Sequence, residues 1–141
     1  MSKLLARLSD AAKSGVYAAS GVEDILDATR GSELRVARIG LDGVSEKGAL
    51  LDRIAAALEF PRWFGRNWDA LLDCLRDLSW SEARGHVLLF ENAERLGAGD
   101  RQTLIEVLGE AATSWRGTDR SFFAVLIGAA PGLPELYRKR K

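Results

Sequence analysis

The sequence has few of the residues on which several common protein classes depend. It contains one cysteine, Cys74, and one histidine, His86, which excludes an internal disulfide and gives no usual set of zinc ligands. No apolar stretch approaches the roughly 18 residues of a transmembrane helix. Lys plus Arg number 20, and so do Asp plus Glu. This balance argues against a general binder of nucleic acid or membranes, because such proteins usually carry a basic excess.

The remaining composition is that of an ordinary globular domain. Of 141 residues, 47% are hydrophobic and 28% are charged, so the chain has enough apolar surface to offset the entropy of ordering it. Arg7, Asp10 and Lys13 interrupt the N-terminal leucines, which argues against a signal peptide. We therefore expect a cytoplasmic protein that is a monomer when free and uses no cofactor or metal.

Strand and helix patterns alternate along the chain. The apolar runs 86–92 and 121–128 are typical of strands buried on both faces, residues 33–41 predict a third strand, and residues 16–19 predict a short extra one. Helical spacing predicts helices before Gly15, over 22–30, from Ser45 to about residue 58, over 68–78 and after Asp100. Ser45, Asn67 and Asp100 are the predicted N-caps.

This alternation predicts an α/β fold, because parallel strands need helical crossovers between them. We expect one small domain with a three-stranded parallel sheet packed with helices. Residues 1–33 are predicted as an N-terminal extension of helices, with the possible extra short strand, packed on a domain of residues 34–128. Residues 129–141, which are broken by Pro and Gly and end in RKRK, are predicted as a mobile basic tail.

The helix over 68–78 separates apolar and acidic residues onto two sides. Trp68 and Leu71, Leu72, Leu75 and Leu78 fall in one arc of about 120°. Asp69, Asp73 and Asp77 recur every four residues on the other side, with Arg76 beside them. A solvated face explains such a row, and Asp69 also suits the positive end of the helix. Asp73 and Asp77 lack that explanation, because mid-helix Asp is unfavourable and like charges four residues apart repel.

An aromatic loop precedes this helix. Trp63 and Phe64 are followed by Gly65, at which we expect a backbone conformation closed to other residues. Core packing is one interpretation of the two aromatics. The other is a protein-binding surface, in which aromatic anchors supply desolvated contacts and the acids receive Arg and Lys of a basic partner.

The stretch from 60 to 80 resembles the barstar family, intracellular protein inhibitors of a secreted bacterial ribonuclease. The family pattern is Pro, a spacer, two aromatics, Gly, a spacer, Asn, a spacer, Asp-Ala-Leu, a spacer and Asp-Cys-Leu. The chain supplies all of these, as Pro61, Trp63, Phe64, Gly65, Asn67, Asp69, Ala70, Leu71, Asp73, Cys74 and Leu75. Weaker agreement in strand and helix order extends over about residues 34–128.

The resemblance implies that the loop and the acidic helix plug the active site of a ribonuclease. By position, Asp69 and Asp73 would meet cationic active-site groups in place of RNA phosphates. Trp63, Phe64 and Gly65 would pack against the enzyme, and Asn67 would cap the helix or contact the partner. The predicted partner-binding residues are therefore Trp63, Phe64, Gly65, Asn67, Asp69, Asp73, Arg76 and Asp77.

The chain departs from the family at several charged positions. Arg66 stands where the family has an acid, Leu72 replaces an aromatic, and Arg62 and Arg76 dilute the acidic face. Asp100 and Glu106 are only loose candidates for the additional contacting glutamate of the family. An alternative hypothesis is therefore an interaction domain with the barstar fold and a partner that is not a nuclease.

Other chemistry-bearing residues give weaker hypotheses. Cys74 is predicted as a buried structural thiol, because a nucleophile needs a nearby base. His86 is predicted to lie at a strand edge without a functional partner. Glu91 and Glu94 follow a strand and could form the carboxylate pair of a small enzyme, which would then need a concave site around them.

Overall fold

The four β-strands form one parallel sheet. In the computed structural model, which describes residues 2–128 and 130–137, the spatial order is β1-β4-β3-β2. The strands are β1 (Gly15–Ala19), β2 (Leu34–Gly40), β3 (Gly85–Glu91) and β4 (Ser121–Ile127). The predicted α/β class is confirmed, and the extra short strand pairs with β4 at one edge of the sheet.

Helices cover both faces of this sheet. They are α1 (Lys3–Leu8), α2 (Glu23–Thr29), α3 (Lys47–Leu58), α4 (Trp68–Asp77) and α5 (Ala98–Trp115), with short 3-10 turns at Ala11–Lys13 and Ala93–Arg95. One apolar cluster joins the sheet to α3, α4 and α5, and a second joins it to α1 and α2. Strands β3 and β4 lie between these clusters, which explains their unbroken apolar sequences.

Three predicted helix ends differ in the structure. Helix α1 ends at Leu8, because the Asp10 carboxylate accepts a hydrogen bond from the Ala12 amide and starts a separate 3-10 turn. The cap of α3 is Glu46 and not Ser45, since the Glu46 side chain accepts from the Ala49 amide at 3.0 Å. Helix α5 starts before Asp100, which lies in its first turn and is not its cap.

The segment after β4 packs against the sheet as far as it is described. The Ala18 amide donates to the Pro134 carbonyl, and the Leu136 amide donates to the Ala18 carbonyl. Leu136 is buried in the cluster beneath α1 and α2, and the Tyr137 hydroxyl donates to Asp24 at 2.9 Å. Residues 130–137 are therefore a strap along β1 and do not form the mobile tail that we predicted. The RKRK sequence at 138–141 lies outside the described residues.

The predicted division into segments 1–33, 34–128 and 129–141 stays a prediction. All three segments contribute to the one sheet. Segment 1–33 supplies the edge strand β1, and Glu135 of segment 129–141 forms an isolated bridge to Ala18 of that strand. Among the residues described, no helix is long and apolar enough to span a membrane.

Candidate functional site

Asn67 fixes the start of the acidic helix. Its backbone is extended, and its side-chain oxygen accepts from the Ala70 amide at 2.7 Å. The same side chain donates to the Gly65 carbonyl at 3.4 Å. The predicted N-cap is thus confirmed, and its hydrogen bonds couple the first turn of α4 to the loop before it.

The acid row of α4 faces solvent. Asp69, Asp73 and Asp77 are exposed, whereas Leu71, Leu75 and Leu78 are buried against the sheet and α5. Trp68 and Leu72 are half-buried at the boundary. The burial of one side dictates the exposure of the other, so the structure presents three carboxylates along one face of α4.

Arg76 lies within this acidic face. Its guanidinium is 3.4 Å from the Asp73 carboxylate, and both side chains are largely exposed. An exposed pair of this length contributes little to stability. Asp73 therefore remains accessible to an incoming cation that can displace Arg76.

The aromatic loop presents one exposed aromatic side chain. Trp63 is 63% exposed, with its ring centroid 6.5 Å from that of Trp80 in an edge-to-face arrangement. Phe64 is half-buried, and its ring centroid is 4.9 Å from that of Phe60. Trp63 is therefore a candidate anchor for a partner, while Phe64 belongs to the support beneath it.

The unusual backbone in this loop lies at Arg66 and not at Gly65. Arg66 has a φ of 54°, and Gly65 is not among the residues with positive φ. A β-carbon at Gly65 would lie 3.5 Å from the Ala70 β-carbon, which is ordinary contact. Our prediction that Gly65 supplies a conformation closed to other residues was wrong, because the left-handed residue is its neighbour.

Asp52 and Trp80, which are not among the predicted partner-binding residues, contact side chains of the loop and support it. The Arg66 guanidinium forms two hydrogen bonds to the carboxylate of Asp52 on α3. The Trp80 indole nitrogen donates to the Leu58 carbonyl at 3.0 Å, and the Trp80 ring contacts Phe60. Sequence reasoning missed both Asp52 and Trp80, since no local pattern links them to residues 61–67.

Cys74 and His86 are both buried and do not belong to the exposed acid row. Cys74 is fully buried, and desolvation, with smaller effects of Asp77 and Asp73, raises the pKa of its thiol to about 11. His86 is 2% exposed, and its Nε2 lies 2.8 Å from the Ser81 hydroxyl. The predicted burial of Cys74 is confirmed. His86 lies near the predicted strand end, as the second residue of β3, and it is buried because β3 is an interior strand.

Glu91 forms an ion pair with Arg38 through both of its carboxylate oxygens. Its two carboxylate oxygens accept from Arg38 Nε and Nη2 at 2.9 and 2.8 Å. This pair holds the pKa of Glu91 below its usual range, whereas a general acid near neutral pH needs a raised value. Glu94 is exposed beside Gly128. The geometry thus gives no support to a catalytic Glu91–Glu94 pair.

The loop and α4 together form a surface of exposed acids with one aromatic anchor. Within residues 2–128 and 130–137, no group of three or more His, Cys, Asp or Glu could hold a metal ion. The family model described as Barstar (barnase inhibitor) matches residues 34–127, which is more than half of the chain. No curated protein matches the chain.

Proposed function

Because the chain belongs to the Barstar family, we propose that it is a non-catalytic inhibitor that binds and blocks the active site of a basic, secreted ribonuclease. Members of this family are inhibitor proteins whose partner is a ribonuclease. The observation that carries the proposal for this chain is the exposed row of Asp69, Asp73 and Asp77 beside the exposed Trp63.

The acids of α4 serve as substitutes for RNA phosphates in this proposal. A ribonuclease must hold phosphates with cationic groups, and carboxylates on a rigid helix offer oxygens to the same groups. The hydrophobic side of α4 is packed in the core, so the carboxylates start from a fixed backbone. Asp69 and Asp73 take the central contacts, and Asp77 extends the row.

The loop supplies the desolvated part of the interface. Trp63 packs on the enzyme, Gly65 allows close approach of the partner, and Phe64 and Asn67 keep the loop in shape. Aromatic anchors surrounded by less critical contacts carry much of the free energy of many interfaces. Arg76 then sets specificity, because it must leave Asp73 or meet an acidic group of the enzyme.

The cellular role follows from the same proposal. An inhibitor of a secreted ribonuclease protects the cell that makes the enzyme. We propose that the protein works in the cytoplasm of a bacterium, as an immunity protein or antitoxin, and that it is a monomer when free.

The proposal is tested by capture of partners from the source organism with immobilised protein. A double variant, Asp69→Asn/Asp73→Asn, removes two charges from α4. The matched control, Glu33→Gln/Asp119→Asn, removes two charges of exposed acids that lie near Leu5 of α1, just before β2 and β4 begin. We expect RNA-cleaving activity in the fraction eluted from the unmodified protein and the control, but not from the α4 variant.

A second candidate function is supported by the arginines on the same face. Arg62 and Arg76 alternate with the acids, and the whole chain has no net charge. A partner that is not a nuclease, with mixed charges of its own, would fit such a face. Capture of a protein without ribonuclease activity, retained only while Asp69 and Asp73 are present, would favour this function over inhibition.

A further inference from the structure

Arg66 ties the predicted binding loop to a different helix. Its Nε is 2.7 Å from Asp52 Oδ1, and its Nη2 is 3.0 Å from Asp52 Oδ2. Asp52 lies near the middle of α3, 14 residues earlier in the chain. A bidentate pair of this kind fixes the orientation of the guanidinium as well as its distance.

The backbone of Arg66 needs such a constraint. Its φ of 54° is a conformation that side chains with a β-carbon rarely adopt. Arg66 lies between Gly65 and the N-cap Asn67, so a change of its φ would turn the loop away from the first turn of α4. The contact with Asp52 is made in this left-handed conformation and therefore favours it.

The surface of α3 leaves room for this contact. Gly48 lies one turn before Asp52, and a β-carbon there would come within 3.3 Å of Arg66 Nη2. The other support of the loop also reaches α3, because Trp80 contacts Trp63 and donates to the Leu58 carbonyl. Helix α3 therefore holds the loop at two points, although it contributes no residue to the predicted binding surface.

We infer that Arg66 is a positioning residue, which fixes loop 61–67 through Asp52 and thereby presents Trp63 and the first turn of α4 to the partner. The inference rests on the proposed function for its effect on binding. The effect on binding that the inference predicts is opposite to the effect that charge alone predicts. Neutralising Arg66 makes the face more acidic, which by charge alone would strengthen binding to a basic enzyme. If Arg66 acts by positioning, the same change weakens binding.

The test compares Arg66→Gln, Asp52→Asn, the double variant and Arg66→Lys. Loop order is measured without a partner, by 15N relaxation of the Gly65 and Asn67 amides and of the Trp63 indole. Binding is measured to barnase, the enzyme that the family description names. The urea midpoint of each variant serves as the control for stability, and an exposed pair should move it by less than about 0.3 M.

We expect both single neutralisations to increase the fast motion of the loop and to weaken binding about fivefold, the cost of ordering a few residues on association. The double variant should bind no more weakly than either single variant, because each single substitution already removes the same contact. Arg66→Lys should restore part of the affinity, as it keeps the charge and one donor.

Two results would overturn the inference: loop order unchanged in Arg66→Gln, or tighter binding of that variant. A loop that loses order in Arg66→Gln while the unmodified protein does not bind barnase would support the fixing of the loop and show that the ribonuclease to be inhibited is not barnase. The relaxation experiment thus tests the positioning role of Arg66 independently of whether the protein inhibits a ribonuclease.

Discussion

The single histidine makes the stability of this protein dependent on pH in a range where few other groups titrate. His86 is 2% exposed at the start of β3. Burial first, and then the charges of Arg120 and Arg35, lower its pKa from 6.5 to about 4. The folded protein therefore binds the histidine proton less readily than the unfolded chain does.

The sign and size of the effect follow from linkage. Between the two pKa values the unfolded chain is protonated and the folded protein is not, so stability falls as pH falls below 6.5 and stops falling near pH 4. From pH 7 to pH 5 the loss should be about 2 kcal/mol. Glu91 contributes little in this window, because the Arg38 hydrogen bond lowers its pKa from 4.5 and its contribution is lost only as the pH falls below that value.

Urea unfolding at pH 7, 6 and 5 measures this loss, with His86→Gln as the control. Glutamine keeps a polar group that can reach Ser81 but does not titrate, so its free energy of unfolding should change by less than about 0.5 kcal/mol over the same range. Because the chain has no other histidine, its imidazole NMR signals report His86 alone. A titration midpoint near 6.5 in the folded protein, or equal pH dependence of both proteins, would refute the reasoning.

Three further predictions concern individual residues. Gly109→Ala in α5 should raise the free energy of unfolding by about 0.5 to 1 kcal/mol, because a β-carbon there meets nothing within 4 Å; a lower urea midpoint would contradict this. Gly65→Ala should leave stability within about 0.5 kcal/mol but weaken partner binding, and marked destabilisation would show that Gly65 has a backbone role. Iodoacetamide should modify Cys74 in urea and spare it in the folded protein, because the thiol is fully buried with a pKa of about 11; rapid labelling of folded protein would contradict the burial.

The sequence predicted best those strands and helices in which burial follows a simple pattern along the chain. The interior strands β3 and β4 have both faces covered, so their apolar runs were sufficient evidence. The acid row and its buried opposite side followed from the helical period, and Asn67 was recognisable as a cap. The edge strand β1 gave a weaker signal, because four of its five residues are only partly buried.

Contacts between distant residues account for what the sequence did not predict. The Pro and Gly residues after β4 indicated a broken tail, although an extended segment can still hydrogen-bond to a strand edge, as Pro134 and Leu136 do with Ala18. The loop was expected to depend on Gly65, whereas the left-handed residue is Arg66, held by Asp52. Nothing in the local sequence distinguishes Asp52 from any other exposed acid.

The central claim is that the acid row and Trp63 block a ribonuclease active site. The most direct measurement is a titration of RNA cleavage by the ribonuclease captured on the protein, at several RNA concentrations. We predict that one equivalent abolishes cleavage, that RNA competes with the inhibitor, and that Asp69→Asn/Asp73→Asn fails to inhibit while Glu33→Gln/Asp119→Asn inhibits fully. A ribonuclease that stays active in the complex, or equal inhibition by the α4 variant, would contradict the account.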